Sequence, residues 1–407
     1  MKKVLYISYD GLTDPLGQSQ VLPYVSYLSK QGYEFTIISF EKPTRFEKER
    51  HIIEAIAKDA GIHWVPLTFT AKPPILSKIY DRYRMWQTAV SLHQKEKFDL
   101  IHCRSYVAAE MGLRLKKKFG VKMLFDMRGF WADEKVDNGQ WNLQKKFYRR
   151  LYQHYKQKEK EFLLEADGIV SLTKASKDYL VQQPQYKHLS IEVIPCCADL
   201  EHFDYHTVPG TEIELMRNAL GIDSTTKVLI YLGSTGGWYM TREMLAFFKT
   251  LLGTYSSYVM LVLTKDDPNQ LRKEATETGI PENKMVITYS DRKKLPVYIA
   301  LSAVSVFFIR KTFSKMASSP TKHAELMGMG IPVICNDIGD TGHIICDTNT
   351  GLVINSFDKE SLEEAVRHVN KLESLDKEHV RNSAIEYFDL KTGGEKYLAL
   401  YRTIIGN

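Results

Sequence analysis

The densest run of residues able to do chemistry is RKTFSKMASSPTKHAELMGMGIPVICNDIGD, residues 310–340. It leaves an apolar stretch over 304–309 that reads as a buried strand and enters the small-residue loop Ala317-Ser318-Ser319. Pro320 suits the first turn of a helix that would carry Lys322 and Glu325. Free backbone N–H groups at such a helix start, aided by the helix dipole, make an anion site fit for phosphate. Arg310, Lys311, Lys315 and Lys322 would add positive charge, and Glu325, more than a turn inside, would offer its carboxylate to ribose hydroxyls. Gly328 and Gly330 would let the helix end closely against the strand that follows Pro332. The same residues also read as a tight helix-to-strand connection with incidental surface lysines, and the pattern alone does not separate the two.

A second charged and aromatic loop, DMRGFWADE at 126–134, follows the apolar run 121–125. A loop at a strand's carboxyl end is where a cleft is lined. Arg128 would there grip an acidic or hydroxyl-rich sugar, or else hold Asp126 and Asp133 in a structural ion-pair hub. His102 is similarly placed and reads equally well as a satisfied core histidine. Asp266-Asp267 resembles a metal-binding acid pair, but a turn with Asp267 capping a helix from Pro268 fits better. Over 141–164, Phe147, Leu151 and Tyr155 share a helical face beside Tyr148 and Tyr152, with Lys145, Lys146, Arg149, Arg150 and Lys156 around the rest. That helix would rest on an anionic membrane surface, or be an ordinary helix with a solvated basic face.

The elements that must position these loops alternate strand and helix. Strands are expected over 4–9, 35–40, 100–103, 121–125, 168–172 and 191–194. A second series is expected over 228–232, 259–263, 285–288, 304–309, 332–335 and 352–354. Helical spacing links them, as at Val21, Leu22, Val25 and Leu28, where Gly32 ends the helix. Two such series predict two doubly wound parallel sheets, joined between residues 200 and 226, with a shared cleft at the carboxyl ends of the strands.

With 407 residues, 44% of them hydrophobic and 26% charged, both halves can bury a core. A net charge of +6 suits phosphate-bearing ligands or an anionic membrane surface and is too small to argue for nucleic acid. The five cysteines form no C-x-x-C pair, as expected of reduced thiols in a cytosolic protein. MKKVLYISYDG lacks the features of a signal peptide, and no apolar run approaches a membrane span.

Taken in order, these motifs resemble the retaining glycosyltransferase family 4, of the GT-B fold. The resemblance rests on SSPTKHAELMGMGIPVI with the following Gly-Asp, the glycine loop around Gly17, ADGIVSLT at 166–173, VIPCCADLEHF at 193–203 and YLGSTGG at 231–237. It covers nearly the whole chain. It implies an α/β architecture of two Rossmann-like domains facing a central cleft. Residues 1–205 would form the acceptor domain, with a C-terminal helix over 390–407 packing back on it, and 206–389 the nucleotide-sugar donor domain. Glu325 matches the family's second paired glutamate, which holds the ribose. Ser319, Pro320, Thr321 and Lys322 would meet the diphosphate, and Gly233 and Ser234 would open the loop that touches it. Gly17 and Gln18 would approach the donor from the first domain, and Asp126, Arg128 and Glu325 are the expected catalytic residues. No metal or cofactor is required on this resemblance, the substrate being a UDP- or GDP-sugar.

Three departures stand out. Ala317 replaces the first paired glutamate, and GSTGGWYMTRE has only Arg242 where the family carries a phosphate-binding Arg and Lys, so that Arg310, Lys311 or Lys315 would substitute. Arg128 stands where a histidine is usual. The expected function is retaining sugar transfer to a glycan or lipid-linked glycan in surface polysaccharide biosynthesis, in the cytoplasm or peripherally on the inner face of the cell membrane. A nucleotide-sugar 2-epimerase shares the architecture, although the motif order argues against it. A non-catalytic sugar-nucleotide-binding partner of another transferase is the reading that Ala317 and Arg128 favour.

Overall fold

The computed structural model describes residues 1–406; Asn407, the last residue of the expected 390–407 helix, lies outside them. The first sheet has seven parallel strands: β1 (Lys2–Ser8), β2 (Tyr33–Glu41), β3 (His63–Thr68), β4 (Leu100–Arg104), β5 (Lys122–Asp126), β6 (Gly168–Ser171) and β7 (Ile191–Val193). Their order is β3-β2-β1-β4-β5-β6-β7. The second has six: β8 (Lys227–Leu232), β9 (Tyr258–Leu263), β10 (Met285–Thr288), β11 (Val304–Phe307), β12 (Val333–Cys335) and β13 (Gly351–Val353), in the order β10-β9-β8-β11-β12-β13. Central strands such as VLIYL and YVMLVL are buried along their length, as parallel strands covered by helices on both faces must be. Both sheets are doubly wound. The order reverses between β1 and β4 in one and between β8 and β11 in the other, and ligands of such sheets bind outside the strand ends at that reversal.

β3 was not expected from the sequence. None of its residues HWVPLT is buried, and they include Pro66, which an edge strand tolerates. The helix Gly210–Ala219, inside the expected joint between residues 200 and 226, has no buried residue and so offers no apolar stripe to read.

The chain divides into two compact units, Met1–Pro195 with the residues from Leu390 onward, and Cys196–Asp389. The division lies ahead of the expected 205/206 boundary because Ala198, Leu200 and Phe203 are buried in the second unit's core. In the first unit the helix Leu390–Ile405 packs on the helix Leu22–Lys30, and the Tyr401 hydroxyl meets His102 Nδ1 at 2.6 Å.

Arg381 ties the second unit's opening segment to its core. Its guanidinium, almost wholly buried, donates to the carbonyls of Phe203 and Gly328 at 2.7 Å, of Leu200 at 2.8 Å, and to Asp204 Oδ2 at 2.9 Å. Gly328 allows this approach: a Cβ there would lie 2.6 Å from the Leu200 side chain. The close contact expected of Gly328 against the following strand is thus made with the 200–203 segment. Replacing Arg381 leaves three buried carbonyls without donors, so Arg381→Met is expected to cost roughly 3 kcal/mol, read as a lower urea midpoint.

Candidate functional site

At the β8/β11 reversal, the chain leaving β11 runs through residues 308–320 into the helix Thr321–Gly328. Pro320 is its N-cap, one position ahead of the expected first turn. Lys322, 7% exposed, turns its ammonium into a box of rings: Nζ is 3.8 Å from the Tyr239 ring centroid, 4.3 Å from that of Tyr231 and 3.3 Å from the Tyr231 hydroxyl. It forms no ion pair among the described residues. Gly233, at the end of β8, lies against it. A Cβ there would be 3.0 Å from Nζ, and the backbone φ of 109° independently requires glycine. The next residue, Ser234, gives its carbonyl to the Tyr231 hydroxyl.

The cations that the sequence assigned to this loop are gathered by aromatic residues. Trp238 lies beneath Arg310 at 5.0 Å and Lys315 at 3.9 Å, while Lys311 pairs with Asp337 at 3.6 Å. Ser319 Oγ accepts from the Cys196 backbone N–H at 3.0 Å, so its hydroxyl already serves the fold. Glu325 is almost buried, and burial raises its carboxyl although Arg292 opposes this from 3.1 Å. Arg292 escaped the sequence reading because SDRKK on the surface looks like any solvated charge cluster. The acid pair separates: Asp267 caps the helix Pro268–Thr278 through Asn269 N, and Asp266 accepts from Thr235 N at 2.6 Å. Ala317 is buried in the turn before the helix, and His323 is a core histidine beside Phe307 and Phe388.

In the first unit the candidates lie at the carboxyl ends of β1, β4 and β5. Gly17 packs on the loop after β1, where a Cβ would fall 2.2 Å from the Gly11 carbonyl oxygen; Gln18 Nε2 donates to Thr13 O at 3.3 Å. Glu41, at the end of β2 and unnoticed in the sequence, shapes that loop by accepting from Leu12 N at 2.7 Å and Thr13 N at 3.0 Å. Asp126 is buried with Arg128 Nη1 at 3.8 Å, Arg104 Nη1 at 4.0 Å and His102 Nε2 at 3.6 Å. Burial works to raise its carboxyl, but Arg128, His102 and Arg104 outweigh it and hold the group below the ordinary carboxylate range. Asp133 is engaged by Tyr152 at 2.7 Å and Lys156 at 2.8 Å. Arg128 has a φ of 59°, an uncommon left-handed conformation for a side-chain-bearing residue.

Burial pushes Lys322 down to about 7, with Glu325 only partly opposing. An unfolded lysine titrates near 10.5, so the folded chain binds fewer protons between those values. The cost of burying the ammonium is therefore full below about pH 7 and fades as pH rises towards the ordinary lysine range. Lys322→Met is expected to raise the urea midpoint most near about pH 6, with the two proteins converging as pH approaches about 10.

Comparison with known proteins fits this arrangement. Residues 19–202 match the family model described as glycosyltransferase family 4, and residues 212–386 that of glycosyl transferases group 1. No curated protein is matched by the sequence. Among solved structures, a glycosyltransferase from Rickettsia africae is 16% identical with a TM-score of 0.70, covering 100% of this chain and 99% of its own. Sucrose-phosphate synthase from Thermosynechococcus elongatus is 15% identical with a TM-score of 0.71, covering 99% of both chains. Anabaena HepE in complex with UDP-glucose is 14% identical with a TM-score of 0.72, covering 99% of this chain and 100% of its own. Two successive family matches, on two doubly wound sheets, place the chain in glycosyltransferase family 4, with the GT-B fold.

Proposed function

We propose that the chain transfers a sugar, with retention of anomeric configuration, from a UDP- or GDP-sugar to a glycan or lipid-linked glycan acceptor. The observation that carries this is the buried Lys322 ammonium, set against side-chain-less Gly233 at the start of a helix. A diphosphate at that point meets a cation, free helix N–H groups and the Gly233-Ser234 loop, with Arg310 and Lys315 nearby on Trp238. These groups stabilise the charge that develops on the diphosphate as its bond to the sugar breaks. Glu325 accepts from the ribose hydroxyls and exchanges part of its Arg292 contact to do so. UDP is the first nucleotide to test, since HepE binds it. Asp126 and Arg128, at the strand ends near the Gly17 loop, form the acceptor side, and Gly17 and Gln18 keep the donor-facing role that the resemblance gives them. On this reading no metal is required.

The setting proposed is surface polysaccharide or glycoconjugate synthesis on the cytoplasmic side. The five cysteines, four of them buried, suit a reducing compartment. Peripheral attachment to an anionic membrane is supported by the first unit. Phe147, 61% exposed, stands among exposed Lys145, Lys146, Arg149 and Arg150, while Tyr155 further along the helix is packed on Trp131 and Trp141. Leu76, Ile79, Tyr80 and Tyr83 form a second exposed apolar face at helical spacing. No helix among the described residues is long and apolar enough to cross a membrane.

A thermal-shift series with UDP-, GDP-, dTDP- and CMP-sugars tests the donor site: one nucleotide stabilises the protein, and Glu325→Ala abolishes the shift. No shift with any of them overturns the reading. Because bound diphosphate favours protonated Lys322, donor affinity is expected to fall as pH rises above about 7, and Lys322→Met to bind weakly with a flat profile. Vesicles rich in phosphatidylglycerol are expected to co-sediment the protein at low salt and release it at high salt; Leu76→Ser with Ile79→Ser reduces the bound fraction.

A further inference from the structure

The chemistry of the acceptor is narrowed by a second buried cation, on the first unit. Arg104 ends β4, at the β1/β4 reversal, and is 4% exposed. Its Nε and Nη1 have no hydrogen-bond partner. Two carboxylates stand near, Asp126 Oδ2 at 4.0 Å from Nη1 and Asp10 Oδ2 at 3.7 Å from Nε. Both orient the guanidinium but are too distant to accept from it. Asp10 is 54% exposed, so water weakens its hold. Asp126 is 1% exposed and is shared with Arg128, whose Nη1 lies 3.8 Å from Oδ1. His102, on the same carboxylate, is kept neutral by burial, which outweighs the pull of Asp126.

Two guanidinium groups thus face one buried carboxylate, and donors on one of them are unspent. A buried donor left unmade is costly, more so when charged. The helix Ser105–Phe119 starts at this point with no side-chain cap, so its own N–H groups open onto the same place. Ser105 and Arg128 both take left-handed backbone conformations, φ 65° and 59°, at the ends of adjacent strands. Such conformations collect where a site is being shaped.

We propose that Arg104 and Arg128 bind an oxyanion of the acceptor, which therefore carries a phosphate or carboxylate close to the hydroxyl that receives the sugar. Guanidinium forks match either group in a two-point arrangement. This rests on the reading of the first unit as the acceptor side.

The test uses the full chain and four probes followed by isothermal titration: glucose 1-phosphate, glucuronate, uncharged methyl glucoside, and UDP. The wild type is expected to bind at least one charged probe about ten-fold or more tightly than methyl glucoside. Arg104→Gln and Arg128→Gln each weaken that probe about ten-fold while leaving UDP unchanged, and Lys322→Met does the reverse. The tighter of glucose 1-phosphate and glucuronate identifies the group as phosphate or carboxylate. Equal binding of methyl glucoside, no binding of either charged probe, or unchanged affinity in the Arg128 variant overturns the proposal. So does loss of the charged probe in Lys322→Met alone, which would put the anion on the donor side. Should Arg104→Gln fail to fold, Arg104→Lys, which keeps the charge but not the fork, takes its place beside Arg128→Gln. Failure of UDP to bind the wild type counts against the donor reading and leaves the acceptor result standing.

Discussion

An ammonium group withdrawn from water and given no carboxylate loses on the order of several kcal/mol of hydration. Cation–π contact with surrounding rings returns about 2 kcal/mol. The second unit holds Lys322 in that condition by the rigidity of what surrounds it. Tyr231 comes from β8, Phe307 from β11 and Tyr239 from the loop after β8, so the box is built across the strands where the sheet reverses. Gly233 leaves the one side of the box without a side chain. The Arg381 bonds, which fasten the 200–204 segment to the end of the same helix, belong to the same design: a helix that carries a buried charge near its start is clamped near its end.

The first unit repeats the principle with different parts. Its reversal places Arg104 at the end of β4, buried and incompletely paired, beside a loop whose shape is set by Glu41 and Gly17. Parallel strands bring helix N-termini to their carboxyl ends, and a buried cation there adds a directed charge to the diffuse field of the backbone. Each sheet has one such place. The two cations differ in kind. Lys322 is a point charge among rings on a flexible stem, whereas Arg104 presents a planar fork with a fixed direction.

Much of this was legible beforehand. Long apolar runs such as VLIYL and YVMLVL declare buried parallel strands, and twelve of the thirteen were placed from such runs; β3 escaped because an edge strand is covered on one side only. In the site, Glu325, Lys322, Gly233 and Arg128 were named from their motifs. What the sequence could not give was partnership. Arg292 reaches Glu325 from 33 positions away, and Trp238, after β8, collects Arg310 and Lys315 from the segment after the neighbouring strand β11. The apparent lack of cations after β8 is of this sort. The loop GSTGGWYM supplies aromatic surfaces instead of charges, and the charges come from the segment after β11. Gly328 was expected to serve the strand after it and serves the 200–203 segment instead, beside the carbonyls that Arg381 gathers.

The return of the Leu390–Ile405 helix to the first unit sets an order of events during synthesis. Tyr397 and Tyr401 fill the interior beside Tyr24, Tyr33 and His102, and Gly394 seats that helix on Tyr27. These rings are translated after every residue of the second unit. A ribosome that has made residues 1–195 has therefore made a unit with a gap in its core, while the unit encoded later has all its parts once Asp389 has emerged. The earlier-encoded half must wait, its aromatic cavity open, until the final helix arrives to close it.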